Sequence, residues 1–161
     1  PGLGDDATWA SFYTGVSPGR HGRYFYSQVW PGTYEKTSFL DADLKHEPFW
    51  ETLSRAGRRV AIIDVPKSPV AKNLNGIQLN DWLVHGGDHE EVCSWPPHLA
   101  SEVLTRFGPA PLSLCEVFGL DQAGYQTFLT RLLASVEMKL QLAAYYLEQG
   151  DWDLFMTVFK E

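Results

Sequence analysis

Apolar positions along this chain follow two rhythms, short β-branched runs and longer stretches repeating every three to four residues, and their alternation predicts an α/β fold. The plainest run is Arg59-Val60-Ala61-Ile62-Ile63-Asp64-Val65, closed by Pro66. Its lack of polar alternation predicts a strand buried on both faces of a parallel sheet. Before it, Pro48 suits the first turn of a helix with Phe49, Trp50, Leu53 and Ala56 on one face, ended by Gly57. Further strands are expected at about Gly76 to Val84 and, buried, at Trp152 to Phe159. The longest helical pattern runs from about Ala123 to Gln149, with Tyr125, Phe128, Leu129, Leu132, Leu133, Val136, Leu140, Ala143, Ala144 and Leu147 at helical spacing before Gly150. A Pro-initiated helix is expected over 96–107, with Gly108 to Gly119 a linker. A short helix at about Ala7 to Tyr13, capped by Asp5 or Asp6, stops at Gly15 before the turn Ser17-Pro18-Gly19. Between them, Arg23 to Asp43 reads as irregular chain or short strands, and its aromatics Tyr24, Phe25, Tyr26 and Trp30 read as core and cleft wall.

Composition narrows the class. A chain of 161 residues, 44% hydrophobic and 20% charged, is long enough to bury a core as one domain. The net charge of -7 and the scatter of Lys and Arg argue against a nucleic-acid surface. The cluster Arg55, Arg58 and Arg59 falls at a helix end, where basic residues complement the dipole. No apolar run approaches the roughly 20 residues that span a bilayer. Cys93 and Cys115 lack CxxC spacing and are expected as buried thiols, which tilts the compartment slightly toward a reducing, cytoplasmic one; oligomeric state is unread. The chain opens in a Pro/Gly turn without Met and closes at Glu161 as its last strand finishes, so it is expected to be an internal fragment, incomplete at both ends.

Candidate chemistry concentrates in the opening segment. A helix N-terminus near Asp5 and Asp6 offers unpaired N–H groups and a positive dipole end, which suits a phosphate or sulfate. Thr14-Gly15-x-x-Pro18-x-x-His21-Gly22 resembles the TGxxPxxHG stretch that follows the nucleophile in type I phosphodiesterases and nucleotide pyrophosphatases of the alkaline phosphatase superfamily. Order supports the resemblance. Phe49 to Ala61 followed by Val65-Pro66 is similar to that family's helix, glycine, strand and Val-Pro segment. Asn75-Gly76-Ile77 resembles its turn into the next strand, and Asp151 to Phe159 resembles the strand leading to its second group of metal ligands.

The resemblance implies a three-layer α/β/α alkaline-phosphatase-like domain over 1–161, with an inserted cap-like region at about 86–122. It also implies a hydrolase of phosphate esters or phosphodiesters that uses two divalent metal ions, commonly zinc, on a small phosphorylated substrate. Most metal ligands are expected outside the chain, leaving this fragment inactive alone. At the position of the family's nucleophile this sequence has Asp5, which can act as a metal ligand, form an aspartyl-phosphate or mark altered activity. Thr8 stands where many relatives carry a phosphoryl-contacting Asn, and is the other candidate nucleophile. Plain helix capping remains open for the Asp pair. His21 is expected to pack or hydrogen-bond in its turn, and the loop His85-Gly-Gly-Asp88-His89 to lie on the surface. A sulfatase or phosphonate hydrolase on the same fold is the enzymatic rival, although formylglycine-type sulfatases need Cys or Ser where Asp5 stands. The non-enzymatic rival is a binding or regulatory pseudoenzyme module.

Overall fold

The computed structural model describes residues 4–29, 31–82, 92–111 and 119–159. Its centre is a four-stranded sheet made by β3 (Val60–Ile63), β4 (Gly76–Asn80), β5 (Cys93–Trp95) and β6 (Leu154–Thr157), in the order β5-β4-β3-β6. β3 is parallel to both β4 and β6, with Val60 opposite Gly76 and Leu154, while β5 closes the other side antiparallel to β4. A separate antiparallel pair, β1 (Ser27–Val29) with β2 (Lys36–Ser38), occupies the stretch expected to be irregular or weakly stranded. The mixed sheet with its helices is the α/β architecture that the alternating periodicity predicts.

Among the described residues five α-helices accompany the sheet: α1 (Asp5–Thr14), α2 (Pro18–His21), α3 (Phe49–Arg55), α4 (Leu99–Phe107) and α5 (Gln122–Glu148). One core layer joins Ala10 and Tyr13 of α1 and Trp50 of α3 to Val60, Ile62 and Val65. The second joins Ile63 and Leu79 of the sheet to Trp82, to Leu99 and Val103 of α4, and to Leu142 and Tyr146 of α5. β3 therefore feeds both layers, which is why all four of its residues are buried. β6 departs from expectation, being half-buried along its length, because among the described residues it has a neighbour only at β3.

Local chemistry sets the ends of elements. Gly15 stops α1 in the left-handed region at φ 70°, its N–H returning to the Ser11 carbonyl. α1 begins earlier than expected, with Gly4 as N-cap and no side-chain cap. Neither Asp5 nor Asp6 caps; both lie in the first turn, and Asp6 turns to cations instead of backbone N–H groups. Ser17-Pro18-Gly19 enters the short helix α2 in place of a simple turn. Cys93, expected as a buried thiol, is exposed because β5 is an outer strand. Tyr24, Phe25 and Tyr26 are likewise exposed, not core. Cys115, Trp30 and the 85–89 loop lie outside the described residues. Of the region about 86–122, the described part supplies β5 and α4, and α4 packs Leu99 and Val103 into the core.

Candidate active site

The carboxyl ends of β3 and β4 turn into loops that share an uncommon backbone feature. Asp64 follows β3 at φ 50°, Lys67 comes three residues later at φ 56°, and Asp81 follows β4 at φ 62°. Side-chain-bearing residues seldom hold the left-handed region, and such strain gathers where surrounding structure overdetermines it, often at functional sites. The overdetermination is visible. The Asp64 N–H donates to the Leu79 carbonyl at 2.8 Å, and the Asp64 carboxylate accepts from the Trp82 N–H at 3.0 Å. From β4, the Asn80 amide donates to the Ser68 carbonyl at 2.6 Å, while Gln78 accepts from the Ala71 N–H at 3.0 Å and donates to the Pro69 carbonyl at 2.9 Å. These two buried amides fix the loop just beyond Lys67.

Lys67 is the hinge between that loop and the start of α1. Its ammonium donates to one oxygen of Asp6 at 3.1 Å and lies 3.5 Å from Asp5. Its carbonyl accepts from Arg23 at 2.9 Å and from the Tyr13 hydroxyl at 2.9 Å. Arg23 closes the arrangement by donating to the other oxygen of Asp6 at 3.2 Å. Burial alone would raise the Asp6 carboxyl, but hydrogen bonds and charge from Lys67 and Arg23 outweigh it and hold the group below its ordinary value. Burial pushes the Tyr13 phenol up to about 12, so it remains a donor.

His21 orders the other flank of α1. Its Nδ1 accepts from the Arg23 N–H at 3.1 Å and its Nε2 meets the Ser11 hydroxyl at 3.0 Å, which assigns the neutral tautomer with the proton on Nε2. Burial lowers its affinity for a second proton, helped by the charges of His46 and Arg23. The expectation that His21 bonds within its turn is met.

A cavity of about 390 Å³ opens against Arg23, Tyr26, Asp41, Lys67 and Asp81, with Phe39 also in its lining. It lies beyond the carboxyl ends of parallel strands, where open α/β sheets place ligands. Of the residues the sequence singles out, Asp5 stands exposed beside Lys67 but does not line the cavity. Thr8 is also exposed, its hydroxyl returning to the Gly4 carbonyl at 3.4 Å, and it is absent from the cavity lining. Asp6, Arg23 and Lys67 assemble from positions far apart in sequence, and no spacing in the chain announces them.

Among the described residues no three His, Cys, Asp or Glu side chains come together to hold a metal ion. The neighbouring carboxylates Asp5 and Asp6 share an ammonium instead. These residues by themselves do not fit a two-metal donor set. No helix among the described residues is long and apolar enough to cross a membrane.

Compared with known proteins, residues 6–161 match the family model described as Type I phosphodiesterase / nucleotide pyrophosphatase. No curated protein and no solved structure matches the chain.

Proposed function

Because the chain belongs to the type I phosphodiesterase/nucleotide pyrophosphatase family, a family of generally metal-dependent hydrolases acting on phosphorylated or nucleotide substrates, we propose that it hydrolyses a phosphate ester or phosphodiester at the cavity beside α1. The observation that carries this reading is Lys67, whose ammonium stands at the cavity and next to Asp5 at the start of a helix. The helix N-terminus and the ammonium favour a phosphoryl group there. Asp5, exposed beside Lys67 although outside the cavity lining, would serve as nucleophile or as one ligand of a metal. Thr8 is the weaker candidate, since its hydroxyl is engaged by its own helical turn. The family's general metal dependence extends this reading to divalent ions, zinc being the first choice, whose donor set these residues by themselves do not supply. Asp6 and Arg23 hold Lys67 in place, and Tyr13 secures its carbonyl.

A second reading, a binding module without turnover, draws support from the same carboxylates, because Asp5 replaces the hydroxyl nucleophile and its neighbour is a cation. The discriminating experiment measures metal content and p-nitrophenyl phosphodiester turnover on the full-length protein, with Asp5→Asn beside it. Turnover that falls by orders of magnitude in Asp5→Asn supports the hydrolase with Asp5 in its site. Unchanged kinetics would sink the Asp5 role, and no turnover at all with bound metal present favours the binding module.

A further inference from the structure

α5 carries two apolar seams, and the core uses one of them. Ser135, Lys139, Leu142 and Tyr146 recur at steps of four, three and four residues and form its buried side. A second series, Leu129, Leu133, Val136, Leu140, Ala143 and Leu147, keeps the same alternation of four and three without a polar residue. At about 100° per residue it lies roughly a third of a turn round the helix from the buried side. Its four leucines are 50 to 61% exposed. Such a repeat is what one helix presents to another, since each apolar knob needs a facing hole. The flank that bears it is open. α4 occupies the other side of α5, where Phe107 meets the Tyr145 ring at 5.7 Å and Arg106 donates to the Tyr145 hydroxyl at 2.7 Å. α4 in turn belongs to the β5 end of the sheet, its Ala100 N–H donating to the Ser94 hydroxyl at 2.9 Å. The seam therefore faces the β6 end, and among the described residues β6 has a neighbour only at β3. An apolar helix flank and an unpaired strand edge thus lie on the same side of the molecule.

We propose that this side is where a second copy of the chain docks, about a twofold axis that sets the two α5 helices antiparallel and brings the two β6 edges to face each other. The seam is self-complementary in that arrangement. Leu129 meets the partner's Leu147, Leu133 meets the partner's Ala143, and Val136 meets the partner's Leu140, so each of the two smaller residues is opposite a leucine. A twofold interface needs this kind of self-match, because the same patch serves both copies. The exposed halves of the four leucines and of Tyr125 hold on the order of 500 Å² per copy, so pairing covers about 1,000 Å², which is the threshold of a specific, weak interface. Glu137 flanks the central layer and meets its own copy there, so the pair should tighten as salt screens that repulsion. Docking through α5 does not depend on the chemistry of the cavity.

The test is sedimentation equilibrium of the full chain, which should show a reversible monomer–dimer equilibrium with a dissociation constant in the micromolar range. Leu133→Glu and Leu140→Glu, both at exposed positions and therefore expected to fold, should each weaken association about tenfold or more. Leu104→Glu, exposed on α4 and away from the seam, should leave it unchanged. Orientation is read by crosslinking in a chain carrying Cys93→Ser and Cys115→Ser. Under oxidised glutathione, Leu129→Cys with Leu147→Cys should give a disulfide-linked dimer, whereas Leu147→Cys alone should not, because antiparallel helices hold the two copies of residue 147 about 27 Å apart. A monomer at every concentration overturns the inference and leaves the seam to another element or a different partner. Association that ignores both glutamates, that loosens as salt is added, or that crosslinks through Leu147→Cys alone overturns it equally.

Discussion

At Asp6 a single carboxylate answers two cations, with side-chain exposure of 7% for itself and for Arg23 and 17% for Lys67. Removing it takes their shared carboxylate from a buried Arg23 and a part-buried Lys67, and losing the partner of a buried pair costs about 3–5 kcal/mol. Asp6→Ala should therefore lower stability by about that much in urea unfolding, whereas Asp5→Asn, at an exposed position, should change it by less than about 1 kcal/mol. The two neighbours thus separate a structural role from a site role. Their acid behaviour follows with a defined sign. Asp6 has a folded pKa below its unfolded value, so its contribution is complete above about pH 4 and is lost as pH falls through the folded pKa. His21 is also depressed, but from 6.5, so its neutral buried form supports folding above that pH and the support drains away as pH falls below it. Unfolding free energy measured against pH should show two declines on acidification. His21→Gln should flatten the one just below pH 6.5 and Asp6→Asn the one below pH 4. A wild-type curve flat from pH 7 to 5 would contradict the assignment of a neutral His21.

At the scale of elements, the sequence speaks clearly where one physical cause dominates. β3 is legible because an unbroken β-branched run has no solvent-facing option, and the end of α1 is legible because Gly15 takes a left-handed φ. β4 shows the limit. Gln78 and Asn80 alternate with Ile77 and Leu79, a pattern that ordinarily points the polar pair to water. Both amides are instead fully or almost fully buried, because the 68–71 loop supplies their partners. The loop's position is a tertiary fact, so neither the burial nor the placing of Lys67 can be read from spacing. Gly76, the first residue of β4, is a sharper case. It holds φ 147°, and a Cβ there would stand 1.9 Å from the Val60 carbonyl oxygen. The clash is with backbone on the central strand, so relief requires β4 to move away from β3. Gly76→Ala should cost about 3 kcal/mol or more, or prevent folding, as measured by thermal unfolding. A shift in melting temperature of a degree or less would mean that the strand pair is more compliant than its geometry allows.

For the molecule as a whole, α5 decides how the second core layer meets the ends of the sheet. Its sequence carries apolar residues on two adjacent stripes, and periodicity alone does not say which one packs. Ser135, Lys139, Leu142 and Tyr146 form the buried side, while Tyr125, Leu129, Leu133, Leu140 and Leu147 remain exposed. The packed stripe thus contains a lysine, which hydrophobic patterning assigns to solvent. Charge explains the exception: the fully buried Lys139 ammonium lies 3.5 Å from the fully buried Asp64 carboxylate and donates to the Val158 carbonyl at 2.9 Å. One side chain thereby ties α5 to the loop after β3 and to the chain after β6. Asp64 stands three residues before Lys67, so the tie also braces the loop that presents the candidate site. Lys139→Met should cost about 3–5 kcal/mol, because it takes the ammonium away from the fully buried Asp64 carboxylate. Asp64→Asn retains an oxygen for the Trp82 N–H and tolerates the left-handed backbone, so adding it to Lys139→Met replaces the carboxylate left without its ammonium by a neutral amide. The double variant should accordingly be more stable than Lys139→Met alone, with a coupling energy of about 1–3 kcal/mol in a urea-unfolding cycle. Strictly additive losses would show that α5 is held by packing alone and that Lys139 and Asp64 are neighbours without mutual dependence.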